Sequence, residues 1–136
     1  MSELTNQNIT HGLAAALTAA DGLPGRHFAV CIVDPGGHVL GLQRHTAAAI
    51  SAAHSAESKA RTATYLQADT GGLPPTSPLI PAMTSGLPSP VNMFAGGLLI
   101  HRNGQLIGAV GVGGSPDPQD DLTVAAAVRK ALLGGS

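Results

Sequence analysis

The side chains best suited to chemistry in this chain lie around one turn and along one alanine-rich segment. His38 follows the run Asp-Pro-Gly-Gly that begins at Asp34, and it opens a strand beside which a cleft can form. Lys59 is one of two lysines, and Thr62 lies about one helical turn after it among many alanines. A lysine among small packing residues indicates a receptor for an anionic group, with simple solvation of the ammonium as the alternative. A nearby imidazole and carboxylate are suited to moving protons.

A second candidate site is the segment that begins at Phe94 and leads into an apolar run. Gly96 and Gly97 leave backbone N–H groups accessible, and such groups bind carboxylates or oxyanions. A β-bulge at the start of a strand would explain the same glycines. The glycine-rich run 108–114 occupies a strand and its end, so it does not predict a dinucleotide site. Its members Gly108 and Gly111 instead predict close packing against the second helix.

Other features of the sequence argue against several classes of site and partner. Motifs for structural zinc, metalloprotease, nucleophile-elbow and phosphate-loop sites do not occur, and the six histidines are dispersed. Cys31, the lone cysteine, lies in an apolar run and is predicted to be a core residue. A formal charge of -1 argues against nucleic acid and anionic membranes as partners. Without a bilayer-length apolar run or a signal-peptide pattern, we expect a cytoplasmic protein.

Hydrophobic periodicity and turn residues predict a single α+β domain over residues 1–136. Apolar residues at helical spacing predict helices, which we place at 2–21, 47–68 and from 118 onward, with a short helical turn near 78–84. Apolar runs around tight turns predict two hairpins, 27–33 with 38–43 and 97–102 with 105–112. Because no long crossover separates the paired strands, the sheet should be antiparallel. The Pro- and Gly-rich segment 69–92 is typical of binding loops and lids.

Four segments, in their order along the chain, resemble the GlcG/HbpS family of haem-binding-like proteins, which includes the C-terminal domain of PduO-type corrinoid adenosyltransferases. They are residues 32–40, 58–63, 94–97 and 104–114. The resemblance covers nearly the whole chain. Two departures border the pocket that it implies. Arg-Met-Asp-Gly of the family is here Arg44-His45-Thr46-Ala47, and its Gly-Arg-Pro-Thr is here Gly72-Leu73-Pro74-Pro75-Thr76.

The resemblance implies a profilin-like sandwich, in which helices flank an antiparallel sheet of four to five strands, assembled as a dimer or larger homo-oligomer. Some members of the family bind haem or iron. Carried over residue by residue, the family's pocket falls on Asp34, His38, Lys59, Thr62, Phe94, Gly96 and Gly97.

Two hypotheses for function follow from these residues and this resemblance. In the first, a self-associating protein binds haem, or a similar anionic small molecule, between the second helix, the Phe94 segment and the long loop. His38 is then the expected axial metal ligand, and Lys59 receives a carboxylate of the ligand.

The alternative hypothesis is an enzyme without a cofactor, of lyase or isomerase type, that moves a proton on a small organic acid or carbonyl compound. Asp34 or His38 would transfer the proton, and Lys59 would stabilise the developing negative charge together with the amides at 96 and 97.

The low charge of the chain predicts self-association under either hypothesis. Charged residues make up 11% of the sequence, against about 25% in typical globular domains. Ala, Leu and Pro dominate the segment 71–90. A monomer would therefore expose a contiguous apolar patch, and a second copy related by two-fold symmetry could cover it.

Overall fold

The computed structural model describes residues 3–23, 27–74 and 76–134, and within them four helices and four strands. In chain order these are α1 (Asn6–Ala20), β1 (Ala29–Val33), β2 (Val39–Arg44), α2 (Ile50–Leu66), α3 (Leu79–Ser85), β3 (Gly97–Arg102), β4 (Gln105–Gly113) and α4 (Pro118–Gly134). The α+β class and both predicted hairpins are confirmed. The element ends differ from the predicted ones by a few residues, and residue 2, where the first helix was predicted to begin, lies outside the described residues.

Thr5 determines where α1 begins. Its side-chain oxygen accepts a hydrogen bond from the Asn8 N–H at 3.1 Å, and the Asn8 side chain accepts one from the Thr5 N–H at 2.9 Å. This reciprocal capping box satisfies N–H groups that the start of a helix would otherwise leave unpaired. The helix therefore begins one turn later than apolar periodicity predicts.

The four strands form one antiparallel sheet in the order β2-β1-β4-β3, with α2 on one face and α1 and α4 on the other. Alternate residues of β1 point into the two hydrophobic cores, one on each face of the sheet. Val30 and Ile32 belong to the core beneath α1 and α4, whereas Ala29, Cys31 and Val33 belong to the core beneath α2. None of the described helices is both long and apolar enough to cross a membrane.

Small residues allow α2 to lie very close to β4. Ala56 and Ala60 are fully buried, and a Cβ atom placed on Gly111 would lie only 2.0 Å from the carbonyl oxygen of Ala56. The predicted close packing of Gly111 against the second helix is thus confirmed. The same prediction for Gly108 is wrong, because an odd spacing of three residues along a strand places the two glycines on opposite faces. Gly108 instead faces Leu4 and the carbonyl of Val33.

The long segment between α2 and β3 lies largely at the surface. Its one short helix, α3, contributes no buried residue. Thr70 fixes the beginning of the segment, since its N–H donates to the Gly97 carbonyl at 2.8 Å and its hydroxyl donates to the Phe94 carbonyl at 2.7 Å. These bonds attach the loop to the start of β3.

Cys31 is a core residue, as predicted, and it is fully buried in the centre of β1. Burial, followed by the charge of Glu57, raises the pKa of its thiol to about 12. Because the thiolate is the reactive form, Cys31 is not a candidate nucleophile near neutral pH.

Candidate functional site

The structure places the predicted site residues in three separate regions, two of which lie at opposite ends of β4. Asp34 and His38 line a cavity of about 570 Å³ whose walls include the first residues of β4, Gln105 to Ile107. Lys59 contacts Val112 near the far end of the same strand. Among the described residues, Lys59 does not line the His38 cavity, although the sequence suggested one pocket for both.

The Asp34 carboxylate organises the turn between β1 and β2. Its Oδ1 atom accepts hydrogen bonds from the N–H of Gly36 at 2.9 Å and from the N–H of His38 at 3.0 Å. The imidazole Nδ1 of His38 lies 3.1 Å and 3.2 Å from the two carboxylate oxygens. Partial desolvation acts to raise the pKa of Asp34, but the hydrogen bonds from His38 and Gly36 outweigh it and hold the pKa below its usual value. Asp34 is therefore ionised at neutral pH.

This arrangement fixes which nitrogen of His38 is available to a ligand. An ionised carboxylate only accepts hydrogen bonds, so Nδ1 carries a proton and donates a hydrogen bond to Asp34. The lone pair of Nε2 is then free to accept a proton or to bind a metal. The side chain is 81% exposed, yet it is held at both its ring and its backbone.

A β-bulge shapes the wall of the His38 cavity. Ile32 pairs with Gly41 and Val33 pairs with Val39, so Leu40 is the extra residue of the bulge. Leu40 lines the cavity with Leu4, Ile107 and other residues. Bulges commonly redirect a side chain next to a functional site, and this one adds apolar surface beside the His38 imidazole.

Lys59 forms a buried ion pair with a partner that the sequence analysis did not assign to it. Its Nζ donates to Asp121 Oδ2 and to the carbonyl of Val112, both at 3.0 Å. The Lys59 and Asp121 side chains are 3% and 2% exposed. Burial lowers the pKa of Lys59, and the Asp121 carboxylate only partly opposes that shift. Asp121 Oδ1 also accepts from the Ser115 N–H at 3.2 Å, so the pair joins α2, α4 and the end of β4.

Gly96, directly before β3, leaves room for the Lys59–Asp121 ion pair. A Cβ atom on Gly96 would lie 2.6 Å from the Val112 carbonyl oxygen and 3.2 Å from Lys59 Nζ. The N–H of Gly97 donates to the Thr70 hydroxyl at 2.8 Å, so this amide already has a partner within the protein. The strand begins in regular register here, and the bulge of this hairpin lies farther along, between Ile100 and His101.

Phe94 and Thr62 belong to a third region, between α2 and the segment that precedes β3. Phe94 is 50% exposed and lines a cavity of about 330 Å³ together with Ser58, Ile80 and residues 90–93. Thr62 is buried beneath this segment, and its hydroxyl accepts from the N–H of Asn92 at 2.9 Å. Thr62 therefore holds the segment in place.

Three or more His, Cys, Asp or Glu side chains arranged to hold a metal ion are not found within the part of the chain that the structure describes. The geometry offers His38 as a single imidazole ligand with a carboxylate behind it.

Comparisons with known proteins give a consistent result. A family model described as "Haem degrading protein HbpS-like" matches residues 4–129. A search of curated protein sequences returned no match.

Three solved structures are similar to the chain over almost its whole length. The crystal structure of HbpS is 32% identical, with a TM-score of 0.83, over 98% of this chain and 92% of that one. A complex of PduOC with haem is 27% identical, with a TM-score of 0.81, over 95% and 94% of the two chains. The ORFY protein of Klebsiella pneumoniae is 25% identical, with a TM-score of 0.82, over 97% and 92%.

Proposed function

Because the chain belongs to the HbpS-like family, as the resemblance of its sequence indicated, we propose that it binds haem beside His38. The observation that carries this proposal is the hydrogen bond from His38 Nδ1 to Asp34, which leaves Nε2 accessible next to a cavity. Histidines that bind metals in proteins usually donate a hydrogen bond from the N–H of their second ring nitrogen to a carboxylate, a backbone carbonyl or water. The similarity to PduOC, whose structure was solved with haem, supports this ligand class.

The residues around the cavity fit a haem group. Leu4, Leu40 and Ile107 offer apolar surface to a macrocycle, and the volume of about 570 Å³ lies within the about 300–1,000 Å³ typical of cofactor sites. The described lining contains the acidic Glu3 and Asp34 and no lysine or arginine. Carboxylates of the ligand would therefore remain in solvent.

The chain's own residues have distinct roles in this proposal. His38 would hold the haem iron through Nε2, and Asp34 would keep the proton on Nδ1 and fix the plane of the ring. Bound haem would supply the redox and ligand-binding chemistry of its iron. Lys59, expected from the sequence to receive a ligand carboxylate, is bound to Asp121, and the proposal gives it no contact with haem.

Titration of the purified protein with haemin tests the proposal. We expect a saturable shift of the Soret band, and we expect His38→Ala to weaken haem binding by at least about tenfold through loss of the imidazole that would hold the iron. Asp34→Asn should also weaken binding, because the neutral amide supports the imidazole less well. His101→Ala is the matched control, since His101 is an exposed histidine at the other hairpin. No saturable shift at micromolar haemin, or equal binding by His38→Ala, would contradict the proposal.

The Asp34–His38 pair also favours a second candidate function, proton transfer on a small carbonyl compound. An imidazole oriented by a carboxylate is the usual form of a general base. However, Lys59 and the Gly97 amide, which this hypothesis needs for stabilising negative charge, are engaged by Asp121 and Thr70. Haem binding requires neither group and is therefore the better supported function.

We further propose that the protein self-associates. Val39, Leu40 and Leu42 on the edge strand β2 are each more than 40% exposed, and Leu79 and Phe94 are exposed as well. Large exposed apolar patches commonly mark sites of association. Light scattering after size exclusion should therefore give a mass of at least twice 13.5 kDa. A particle of monomer mass at micromolar concentration would refute self-association.

A further inference from the structure

The peptide unit between Gly37 and His38 is held at both of its polar groups. Its N–H, which belongs to His38, donates to Asp34 Oδ1 at 3.0 Å. Its carbonyl, which belongs to Gly37, accepts a hydrogen bond from Arg61 Nε at 3.2 Å. The first bond comes from within the turn, whereas the second comes from α2, 24 positions farther along the chain. The helix α2 therefore contacts the turn at the peptide unit directly before the side chain of His38.

Gly37 makes this peptide unit the part of the turn that most needs an external contact. Its φ of +86° lies in the left-handed region, which glycine adopts without steric cost. Because glycine adopts positive and negative φ about equally readily, it gives the following peptide unit little preferred orientation. The Gly37 N–H donates to the Asp34 carbonyl at 2.9 Å, but this bond holds the peptide unit before Gly37. The bond from Arg61 holds the one after it.

Arg61 is itself held in the orientation that this bond requires. A terminal nitrogen of its guanidinium lies 2.9 Å from Glu57 Oε1, one helical turn earlier in α2. The guanidinium is planar and its donors lie at fixed angles, so it can bind a carboxylate and a carbonyl at the same time. A Cβ atom on Gly37 would lie 3.2 Å from Thr64 Oγ1 and 3.6 Å from Arg61 Cγ. The turn therefore lies directly against this side of α2.

From these contacts we propose that Arg61 is a positioning residue for His38. By holding the Gly37 carbonyl, Arg61 fixes the direction in which the His38 side chain leaves the backbone. Nδ1 of His38 then stays 3.1 Å from Asp34 Oδ1. This contact determines which ring nitrogen bears the proton, because the tautomer of an imidazole follows the hydrogen bonds of its two nitrogens.

Arg61 acts in this proposal without touching the ligand. It is not among the residues that line the His38 cavity, and its effect on that cavity is to keep Nε2 of His38 unprotonated and in a fixed direction. The inference rests on the proposed role of His38 in haem binding. Its first test needs no haem.

The tautomer of His38 in the haem-free protein tests the role of Arg61. Long-range ¹H–¹⁵N NMR spectra of the full chain, recorded at a pH at which the imidazole is neutral, show which ring nitrogen bears the proton, and His38→Ala identifies the signals. We expect Nδ1 to bear it in the parent protein. In Arg61→Met, which keeps the apolar stem and removes the donors, we expect the proton to be shared between Nδ1 and Nε2. Arg61→Lys should give the same result, because a methylene replaces the Nε donor.

Haemin titration measures the consequence for binding. We expect Arg61→Met to bind haemin about fivefold more weakly than the parent protein, which is the effect of one hydrogen bond of typical strength. Arg129→Met is the matched control, because Arg129 is exposed to a similar degree and pairs with Asp69 at 3.6 Å on another helix. It should leave both the tautomer of His38 and the haemin affinity unchanged. Circular dichroism checks that each variant is folded.

Several results would overturn the inference. They are a parent protein with the proton on Nε2 of His38, an unchanged tautomer in Arg61→Met, and a parental tautomer in Arg61→Lys, whatever the haemin affinities. An equal change of tautomer in Arg129→Met would also overturn it, because the effect would then not require the bond to Gly37. If the parent protein does not bind haemin, the proposed function fails, and the tautomer comparison alone decides the role of Arg61.

Discussion

Replacement of Asp121 by alanine is expected to lower the free energy of unfolding by about 3–5 kcal/mol, because it leaves the buried ammonium of Lys59 without its counter-charge. The Lys59 side chain is 3% exposed and lies 3.0 Å from the carboxylate. Only the Val112 carbonyl would remain as its described acceptor. Total stabilities of single domains are about 5–15 kcal/mol, so this variant should lose a large part of its stability. Denaturant unfolding of the purified variant measures the effect.

Two further variants show whether the loss comes from an unpaired buried charge. Lys59→Met combined with Asp121→Leu should recover most of the stability, because apolar residues of similar size can replace a buried ion pair. Glu57→Ala breaks the more exposed pair with Arg61, whose side chains are 27% and 33% exposed, and should change stability by less than about 1 kcal/mol. If Asp121→Ala lowered the free energy of unfolding by no more than Glu57→Ala does, the buried ion pair would not stabilise the fold as predicted.

Asp121 illustrates what the sequence could and could not predict. It lies in the first turn of α4, where a carboxylate interacts favourably with the helix dipole. Its partner is 62 positions away along the chain, and no local spacing indicates such a contact. One signal was nevertheless present. Asp121 lies on the same helical stripe as the buried residues Val124, Val128 and Leu132, and a carboxylate on an apolar stripe requires a buried partner.

The separation of His38 from Lys59 has a similar explanation. The Asp34–His38 contact is local, and the sequence analysis, which offered the two residues as alternative proton-transfer groups, placed both in one pocket through the family resemblance. The distance between His38 and Lys59 depends instead on the strand order, in which β1 pairs with β4 rather than only with its neighbour in sequence. Residues near the two ends of β4 are consequently far apart. The sequence resemblance gives the order of the motifs and does not by itself give this separation.

The sequence analysis placed a ligand between the second helix, the Phe94 segment and the long loop, where the structure has a groove lined by Ser58, Ile80 and Phe94. It arises where the segment 89–94 returns across α2, held by the bond from the Asn92 N–H to the Thr62 hydroxyl. The abundance of proline and glycine predicted a loop there, and prolines restrict the backbone without specifying which helix face the loop meets.

Substitution of Gly111 by alanine is expected to destabilise the fold by about 3 kcal/mol, through overpacking of the layer between α2 and β4. The added Cβ atom would lie 2.0 Å from the Ala56 carbonyl oxygen and 2.6 Å from the Ala60 nitrogen. Both are backbone atoms, so no change of rotamer can relieve the contact and the helix itself must move. Ala60→Gly should therefore fail to rescue Gly111→Ala, because it removes a side chain that does not make the clash.

Gly72→Ala is the matched control for that experiment. A Cβ atom on Gly72 meets no described atom within 4 Å, so its unfolding free energy should stay within about 0.5 kcal/mol of the parent value. The α2 helix carries Lys59 and Thr62 on one side and Arg61 beside the His38 turn. Displacing it should disturb the turn that holds His38, so any stable fraction of Gly111→Ala should bind haemin more weakly. A Gly111→Ala protein with parental stability and parental affinity for haemin would show that α2 can withdraw from β4 without consequence, contrary to the packing described above.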